Sequence, residues 1–240
     1  MIKTIICFAY VIVSMLILTP IGILVVISNL IGLHKPMSVI MRGIGVGWGR
    51  MLIAMVGCKV TVSGRENIPR KGGLCFVSNH GSIFDIVLLL AYSGRLLGFI
   101  AKKELLLIPF LNMWVSVLGG LFIDRQNPRK ALKTINTGVA RIKSGRSMII
   151  FPEGHRSRGQ GLLPFRPGSL KLATQSGAVI VPVAIAGTYE VFEKNYRAKA
   201  VPVKITFCDP ITTADIPVAD RKQILSDQIY GLIKSKLEVL

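Results

Sequence analysis

Acidic residues are scarce in this sequence, in which 12 Asp and Glu stand against 30 Lys and Arg over 240 residues. The formal net charge is therefore +18. Aromatic residues make up only 7% of the chain, and it contains neither a zinc finger nor an RNP-like motif, which argues against a nucleic-acid-binding protein. Half of the residues are nevertheless hydrophobic, and the mean hydropathy is +0.56. A composition that is both apolar and strongly basic indicates a protein that sits on an anionic membrane.

Cysteine is also sparse, and the four cysteines lie far apart, at Cys7, Cys58, Cys75 and Cys208. Their spacing matches neither a metal motif nor a disulfide framework, which predicts a reducing compartment. Internal repeats and low-complexity segments are absent. The length suits one α/β domain with a sizeable core and an appendage.

Charge is missing altogether from residues 4–33. As one straight helix this run would be about 45 Å long, more than the hydrocarbon core of a bilayer, but Pro20 and Gly22 interrupt it. A second apolar helix is expected over residues 37–57, with Arg42 and Arg50 reaching to headgroups. The run is too long for a signal peptide, and no Ala-x-Ala-like site follows it. We therefore predict a membrane-associated helical motif at 1–57 and an α/β domain at 58–240.

From residue 58 onward, short apolar runs alternate with helical patterns, which predicts an α/β fold. The expected strands lie at 60–62, 74–78, 96–101, 119–125, 147–151, 179–183 and 203–207. The expected helices lie at 86–90, 104–117 with a break at Pro109, 128–144, 168–176 and 217–240. The helix at 128 has a clear start, because Asn127 can cap it and Pro128 takes its first position.

The turn after the strand at 74–78 carries His80 and Asp85, five positions apart, just before an apolar helix. In an α/β protein such a turn exposes polar side chains on a rigid frame. The pair suits a general base whose imidazolium is oriented and supported by a carboxylate. For an isolated pair at this spacing, a helix-capping aspartate beside an exposed histidine is the simpler interpretation.

A second polar loop follows the strand at 147–151 and carries Glu153, Gly154, Arg156 and Arg158. It lies in a basic span, 95–171, that has 14 Lys and Arg against three Asp and Glu, a net charge of +11. The strand-end loops with Lys102, Lys103, Arg125, Arg156 and Arg158 should converge near His80. Arginines at such a position bind phosphate bidentately, so a phosphate-bearing substrate is expected.

Four motif blocks occur in order along the chain: Asn79-His80-x-Ser82-x-x-Asp85, Gly120-x-x-x-Asp124-Arg125, Phe151-Pro152-Glu153-Gly154-x-Arg156-Ser157 and Val181-Pro182-Val183. Together they resemble the blocks of the glycerophospholipid acyltransferase family, most closely its bacterial 1-acyl-glycerol-3-phosphate acyltransferases. The resemblance covers about residues 58–210. It departs from the family at His155, where Thr is usual, and this raises the question of which acceptor is used.

The resemblance implies a mixed central sheet flanked by helices, and acyl transfer from an acyl-carrier-protein or coenzyme A thioester to a lysophosphatidate hydroxyl. By resemblance, His80 and Asp85 are catalytic, and neither a metal nor a cofactor is needed. The other residues carried over are Glu153 and Gly154 for the glycerol backbone, Arg125 and Arg156 for phosphate, Lys103 and Arg158 as further candidates, and Asn79 and Ser82 for shaping the turn.

Several alternatives stay open. The acceptor could instead be glycerol-3-phosphate, a lysophospholipid or lyso-ornithine lipid, and a non-catalytic basic membrane-binding module is the alternative of a different class. Residues 4–33 could span the bilayer once, or 1–57 could form a helical hairpin in one leaflet. We favour the hairpin because the implied substrate is itself a membrane lipid. In both cases the basic residues that follow predict a catalytic domain on the cytoplasmic face.

Overall fold

The computed structural model describes residues 1–31, 33–213, 216 and 221–239. A seven-stranded sheet organises them, in the order β1-β7-β6-β2-β5-β3-β4. The strands are β1 (Lys59–Ser63), β2 (Leu74–Ser78), β3 (Leu97–Lys102), β4 (Leu121–Ile123), β5 (Ser147–Ile150), β6 (Val179–Ala186) and β7 (Pro202–Phe207).

The sheet is mixed, as predicted, because β7 runs antiparallel to β6 while every other neighbouring pair is parallel. All five residues of β2 are buried, as expected for a central strand that is covered on both faces. The carboxyl ends of β2, β5 and β6 therefore meet at one edge of the sheet. The turns that follow those three strands form the site described below.

Helices cover both faces of the sheet. They are α1 (Ile2–Ile17), α2 (Thr19–Leu30), α3 (His34–Val56), α4 (Phe84–Tyr92), α5 (Leu111–Val117), α6 (Pro128–Lys143), α7 (Lys171–Ser176), α8 (Thr188–Val191) and α9 (Arg221–Val239). One face packs against α3 and α4, and the other against α6, α7 and α9. The side chain of Asn127 caps α6 as predicted, by accepting a hydrogen bond from the N–H of Lys130 at 3.1 Å.

Several boundaries differ from the prediction. Helix α7 begins at Lys171 rather than Gly168, whose φ of +78° is not helical, and β6 continues three residues beyond Val183. The segment expected as one helix broken at Pro109 is a 3₁₀ turn, Lys103–Leu107, followed by α5. The last expected helix is described as α9, while its residues 217–220 and 240 lie outside the described part of the chain.

The N-terminal apolar run is not one straight helix. Helices α1 and α2 meet at Leu18 with a bend of 48°, and Pro20 falls in the first turn of α2, where its missing N–H costs nothing. Within the described residues, the one single helix long and apolar enough to cross a membrane is Pro36–Val56, and the bent pair could count as a second, broken span. Many large apolar side chains of α1 and α2 face outward, which is consistent with a membrane-associated protein.

Helix α3 is packed closely onto the α/β part through Gly49. A Cβ at this position would lie 3.0 Å from the carbonyl oxygen of Val87 and 3.2 Å from the Cβ of Ala91, both in α4. Leu52, Ile53 and Val56 of α3 belong to the apolar cluster that also contains buried side chains of β2 and α4. The apolar N-terminal helices and the sheet therefore share a core.

Candidate active site

The turn between β2 and α4 is fixed to the neighbouring strand by Asn79. Its side-chain amide donates to the carbonyl oxygen of Ile185 at 2.8 Å and accepts from the N–H of Ile185 at 2.8 Å. Because Ile185 lies near the end of β6, this pair of hydrogen bonds ties the turn to a rigid part of the sheet. The position of the next residue, His80, is thereby fixed.

Asp85 lies in the first turn of α4 and is completely buried. Its Oδ2 accepts a hydrogen bond from the N–H of Ser82 at 2.9 Å, while the hydroxyl of Ser82 accepts one from the N–H of Phe84 at 3.1 Å. The hydroxyl of Ser82 thus binds the N–H of the first helical residue, which the helix leaves free. Asp85 binds an N–H that precedes the helix and so holds the turn in place.

The structure also brings His80 to Asp85, with 2.8 Å between Nδ1 and Oδ2. The imidazole stacks on the ring of Phe151, at 4.0 Å between ring centroids and 17° between planes. The hydroxyl of Thr188 donates to the other carboxylate oxygen, Oδ1, at 2.5 Å. The side chain of His80 is 16% exposed, so a histidine whose Nδ1 faces a buried carboxylate keeps an accessible edge.

Glu153 is completely buried and holds the main chain of the same turn. Its Oε1 accepts from the N–H of His80 at 2.6 Å, and its Oε2 accepts from the N–H of Leu163 at 3.1 Å. Burial raises the pKa of this carboxyl, and the two backbone hydrogen bonds oppose the rise. The N–H of Ser157 in turn donates to the carbonyl oxygen of His80 at 2.7 Å. The loop after β5 thus holds both backbone polar groups of His80.

Two arginines flank Gly154, which has a φ of +76°. The guanidinium of Arg125 donates to the carbonyl oxygen of Gly154, and a Cβ on this glycine would come within 2.7 Å of the Cδ of Arg166. Partial burial and the positive charge of Arg166 lower the pKa of Arg125. Arg166 also lies 3.1 Å from Nδ1 of His155. Two guanidinium groups on either side of one glycine form a site suited to an anion.

The other predicted basic residues have different surroundings. Lys103 forms an ion pair with Asp124 at 3.0 Å, and this hydrogen bond is the main reason that the pKa of Asp124 lies below its usual range. Arg156 forms an ion pair with Glu193. Arg158 is exposed and has a φ of +50°. Of the predicted basic residues, Arg125 is thus the one with a direct hydrogen bond to the loop that holds His80.

The segment 188–200 connects this site to the N-terminal helix α1. At one end Thr188 binds Asp85, and Glu193 pairs with Arg156. Toward the other end, the ring of Phe192 contacts Phe8 of α1 edge-on at 5.3 Å, and the N–H of Ala198 donates to the hydroxyl of Thr4 at 3.0 Å. One segment therefore contacts both the polar site and the apolar helix.

Sequence reasoning missed three residues of the site, Thr188, Arg166 and Glu193, and gave no role to Phe151 of the third motif block. Thr188 had a usable signal, because it follows Gly187 directly after β6, at the sheet edge where polar side chains gather. Arg166 lies inside the basic span but comes nine residues after the end of the recognised motif block. Glu193 carries no local signal, since it matters only through its contact with the distant Arg156.

Taken together, the site and fold define a class: an α/β protein with a buried carboxylate and an imidazole on a strand-end turn, next to a basic loop. Residues 59–186 match the sequence model of the family described as Acyltransferase. The chain belongs to the acyltransferase family.

Similar proteins agree with this assignment. The chain is 31% identical over 199 residues to a 1-acyl-sn-glycerol-3-phosphate acyltransferase of Haemophilus influenzae, covering 82% of each chain. It is 35% identical to a coconut (Cocos nucifera) protein of the same name over 170 residues, which are 70% of this chain and 54% of that protein. The match to the Borreliella burgdorferi protein is 36% identical and covers 59% of this chain and 56% of the relative. The chain thus spans only a little over half the length of these last two relatives.

A solved structure is similar over almost the whole chain. The crystal structure of a 1-acyl-sn-glycerophosphate (LPA) acyltransferase from Thermotoga maritima superimposes with a TM-score of 0.84 at 25% identity. The match covers 99% of this chain and 94% of that one. These similarities confirm the predicted fold and the resemblance to the glycerophospholipid acyltransferases, including their bacterial members.

Proposed function

We propose that the protein is a 1-acylglycerol-3-phosphate O-acyltransferase, which moves a fatty acyl group from a thioester to the sn-2 hydroxyl of lysophosphatidate and produces phosphatidic acid. The observation that carries this proposal is the 2.8 Å contact between Nδ1 of His80 and the buried Oδ2 of Asp85. A proton on Nδ1 faces the carboxylate, so Nε2 is the basic nitrogen of the neutral ring.

In the proposed reaction, Nε2 of His80 takes the proton of the acceptor hydroxyl as its oxygen attacks the thioester carbonyl. The new C–O bond forms a tetrahedral intermediate, and the C–S bond then breaks. The departing thiolate takes the proton from the imidazolium, so the ring returns to its neutral state. Asp85 stabilises the imidazolium throughout. The reaction needs neither an acyl-enzyme intermediate nor a metal.

The oxyanion of that intermediate requires a hydrogen-bond donor. The candidate donors are the backbone N–H groups near Gly81 and Gly154. The N–H of Gly154 already donates to the carbonyl oxygen of Phe151 at 3.0 Å, which favours Gly81. An open groove of about 430 Å³ adjoins Gly81 and Thr188 and gives room for a substrate on this side of the turn.

The phosphate of the acceptor is assigned to Arg125, with Arg166 as its partner across Gly154. Burial and the positive charge of Arg166 both lower the pKa of Arg125, and an anion between the two guanidinium groups would relieve the repulsion between them. Arg156 would contribute after its pairing with Glu193 is exchanged for phosphate, and Lys103 and Arg158 would add positive field. Glu153 acts through the main chain of His80, since both of its oxygens already accept backbone hydrogen bonds.

The donor is an acyl-carrier-protein or coenzyme A thioester, and the protein works on a membrane with its catalytic part on the cytoplasmic face. In this arrangement helices α1 to α3 form the one-leaflet hairpin. The lipid acceptor and product then need not leave the bilayer, and the boundary between the helical motif and the catalytic domain lies at residue 57.

The test uses the purified full chain with lysophosphatidate in vesicles and each labelled thioester in turn. His80→Ala should lower acyl transfer by about a hundred- to ten-thousandfold and leave vesicle association unchanged, because a general base contributes this much. Arg129→Ala, on the exposed part of α6, is the matched control and should keep its activity. Transfer by His80→Ala within tenfold of the parent would overturn the proposed mechanism.

His155 gives a specific reason to compare acceptors. It contacts Arg166 and stands where the family usually has Thr, so it could alter the phosphate side of the site. Glycerol-3-phosphate, a lysophospholipid and lyso-ornithine lipid should be assayed beside lysophosphatidate. A parent protein that acylates none of the four from either donor would instead be a non-catalytic membrane-binding module.

A further inference from the structure

A second apolar surface lies outside the N-terminal helices, on the turn between β3 and α5. We call the segment Leu105–Phe110 the 105–110 turn. Four of its large apolar side chains are exposed, namely Leu106, Leu107, Ile108 and Phe110, and Leu107 reaches 84%. Four adjacent exposed residues of this kind form a patch that a water-facing surface does not favour. Neither the motif blocks nor the proposed reaction accounts for it.

The backbone of this turn is suited to an environment without water. Five of its carbonyl oxygens are already hydrogen-bonded within the protein. They are those of Leu105 (to the N–H of Ile108, 3.2 Å), Leu106 (to the side-chain amide of Asn112, 3.0 Å), Ile108 (to the N–H of Asn112, 3.2 Å), Pro109 (to the N–H of Leu111, 2.7 Å) and Phe110 (to the N–H of Trp114, 2.9 Å). Pro109 has no N–H to satisfy. Each of these hydrogen bonds lowers the free-energy cost of moving the segment from water into lipid.

Phe110 shows that the turn is held in a defined shape. Its φ is +62°, in the left-handed region that glycine normally occupies, so the backbone is strained at this residue. The structure maintains this conformation while the phenyl ring stays 48% exposed. The strained backbone thus directs an apolar ring away from the protein. This orientation is favourable where the surroundings of the ring are apolar.

The turn is continuous with the apolar face of α2. Helix α5, which follows it, packs on α2, where Met113 lies close to Gly22. It also contacts α1, because the indole N–H of Trp114 donates to the carbonyl oxygen of Met15 at 3.2 Å. Trp114 also packs in a buried apolar cluster with Val25 of α2. Exposed apolar residues of α2, including Ile23, Leu24 and Ile27, extend this surface.

Charge indicates the kind of partner. Lys102 and Lys103 precede the turn, and the chain as a whole carries +18. The ammonium of Lys102 forms a surface ion pair with Glu104 at 3.5 Å, and its side chain is 62% exposed. An exposed pair of this kind is weak, so the lysine can exchange Glu104 for a lipid headgroup. Exposed apolar side chains bordered by lysines match the boundary between the acyl chains and the anionic headgroups of a bilayer.

We propose that the 105–110 turn is a second membrane-inserting element, which enters one leaflet of an anionic bilayer beside α2. Lys103 and its partner Asp124 connect the base of the turn to Arg125, so insertion places the proposed phosphate site at the depth of the lipid headgroups. The insertion itself does not depend on which reaction the protein catalyses.

The test is depth-dependent fluorescence quenching of tryptophan variants of the full chain, reconstituted into vesicles of phosphatidylglycerol and phosphatidylcholine. Leu107→Trp is the reporter, and Ile108→Trp is a second reporter in case the first variant folds poorly. Ile224→Trp is the matched control, because Ile224 is a similarly exposed apolar residue, at 45%, on α9 across the sheet from α3 and α4. The parent, with Trp48 and Trp114, gives the background.

Lipids brominated on their acyl chains should quench the added tryptophan of Leu107→Trp at least about twofold, with blue-shifted emission, and leave that of Ile224→Trp unchanged. Iodide in the aqueous phase should quench the added tryptophan of Ile224→Trp more strongly than that of Leu107→Trp. Equal behaviour of the two variants would overturn the proposal. So would protection of the Leu107→Trp indole from iodide without quenching by bromine, since a second protein surface would then cover the turn. Neither readout uses acyl transfer, so a failure here is distinct from a failure of the proposed reaction.

Discussion

The hydroxyl of Thr188 donates to Oδ1 of Asp85 at 2.5 Å, while Oδ2 of the same carboxylate faces the imidazole of His80 at 2.8 Å. The two donors come from turns that follow different strands, β6 and β2. Thr188 therefore fixes the rotation of the carboxylate that orients the proposed base. It is a positioning residue, because it reaches the reacting atoms only through Asp85 and His80.

Thr188→Val should lower kcat by roughly 10- to 100-fold, since a hydrogen bond to a charged group contributes about 1.5–3 kcal/mol. The KM for the acceptor should hardly change. Thr188→Ser keeps the hydroxyl and should recover most of kcat. Steady-state kinetics of the three proteins check this, and a Ser variant as slow as the Val variant would show that shape, not the hydrogen bond, is what matters at this position.

Arg166 is expected to support binding of the acceptor phosphate. Arg166→Ala should raise the acceptor KM by about tenfold or more, because it removes a charge-assisted contact, and should change kcat little. Arg129→Ala removes the same charge from the exposed part of α6 and should leave KM within about twofold of the parent. An unchanged acceptor KM in Arg166→Ala would show that Arg166 does not bind the phosphate.

Close packing of α3 on α4 depends on the absence of a side chain at Gly49. Gly49→Val should cost about 1–3 kcal/mol, because a side chain there overlaps the carbonyl oxygen of Val87 and the Cβ of Ala91. Gly47→Ala is the control, since a Cβ at Gly47 meets nothing within 4 Å. Thermal unfolding in detergent should show a lower Tm for Gly49→Val alone, and equal values would mean that the two helices adjust to the added atoms.

The titration of Glu153 should appear in the pH dependence of stability. Burial raises its pKa in the folded protein, so its contribution to folding is fully present below the unfolded value of about 4.3 and is lost as pH rises through the folded value. Glu153→Gln does not titrate. The difference in Tm between the parent and Glu153→Gln should therefore shrink as pH rises from about 4.3.

Glu190 provides a control with the opposite sign. The hydrogen bond from Lys194 lowers the pKa of this carboxyl, so its contribution to stability is present above the unfolded pKa and is lost as pH falls through the folded pKa. The difference in Tm between the parent and Glu190→Gln should grow with rising pH. If both differences change in the same direction, burial is not what governs the titration of Glu153.

Much of this architecture could be predicted from the sequence. Strand β2, the capped start of α6 and the turn with His80 and Asp85 depend on neighbours within a few residues. The contacts made by Glu153, Thr188 and Glu193 could not be predicted, because they join residues that are 73, 103 and 37 positions apart. The rule that strand ends converge brings the right loops to one edge of the sheet, but it does not say which side chains meet there.

The membrane-associated region shows the same limit. The uncharged run of thirty residues was expected to be interrupted at Pro20 and Gly22, and the chain bends nearby, at Leu18. Among the described residues, however, the single helix of sufficient length is the later one, Pro36–Val56. Composition identifies apolar surface, but the division of that surface between lipid and protein depends on packing. Gly49 is an example, because the absence of a side chain at this position allows α4 to pack closely on α3.

The segment 188–200 has a consequence for engineering. It bonds to the threonine hydroxyl of α1 at one end and to Asp85 and Arg156 at the other. Deletion of α1 would therefore remove a support of the proposed reaction centre along with part of the proposed lipid anchor. A water-soluble form should therefore keep α1 and exchange its outward isoleucines, such as Ile5 and Ile12, for polar residues. Phe8 and Thr4 would have to stay as they are.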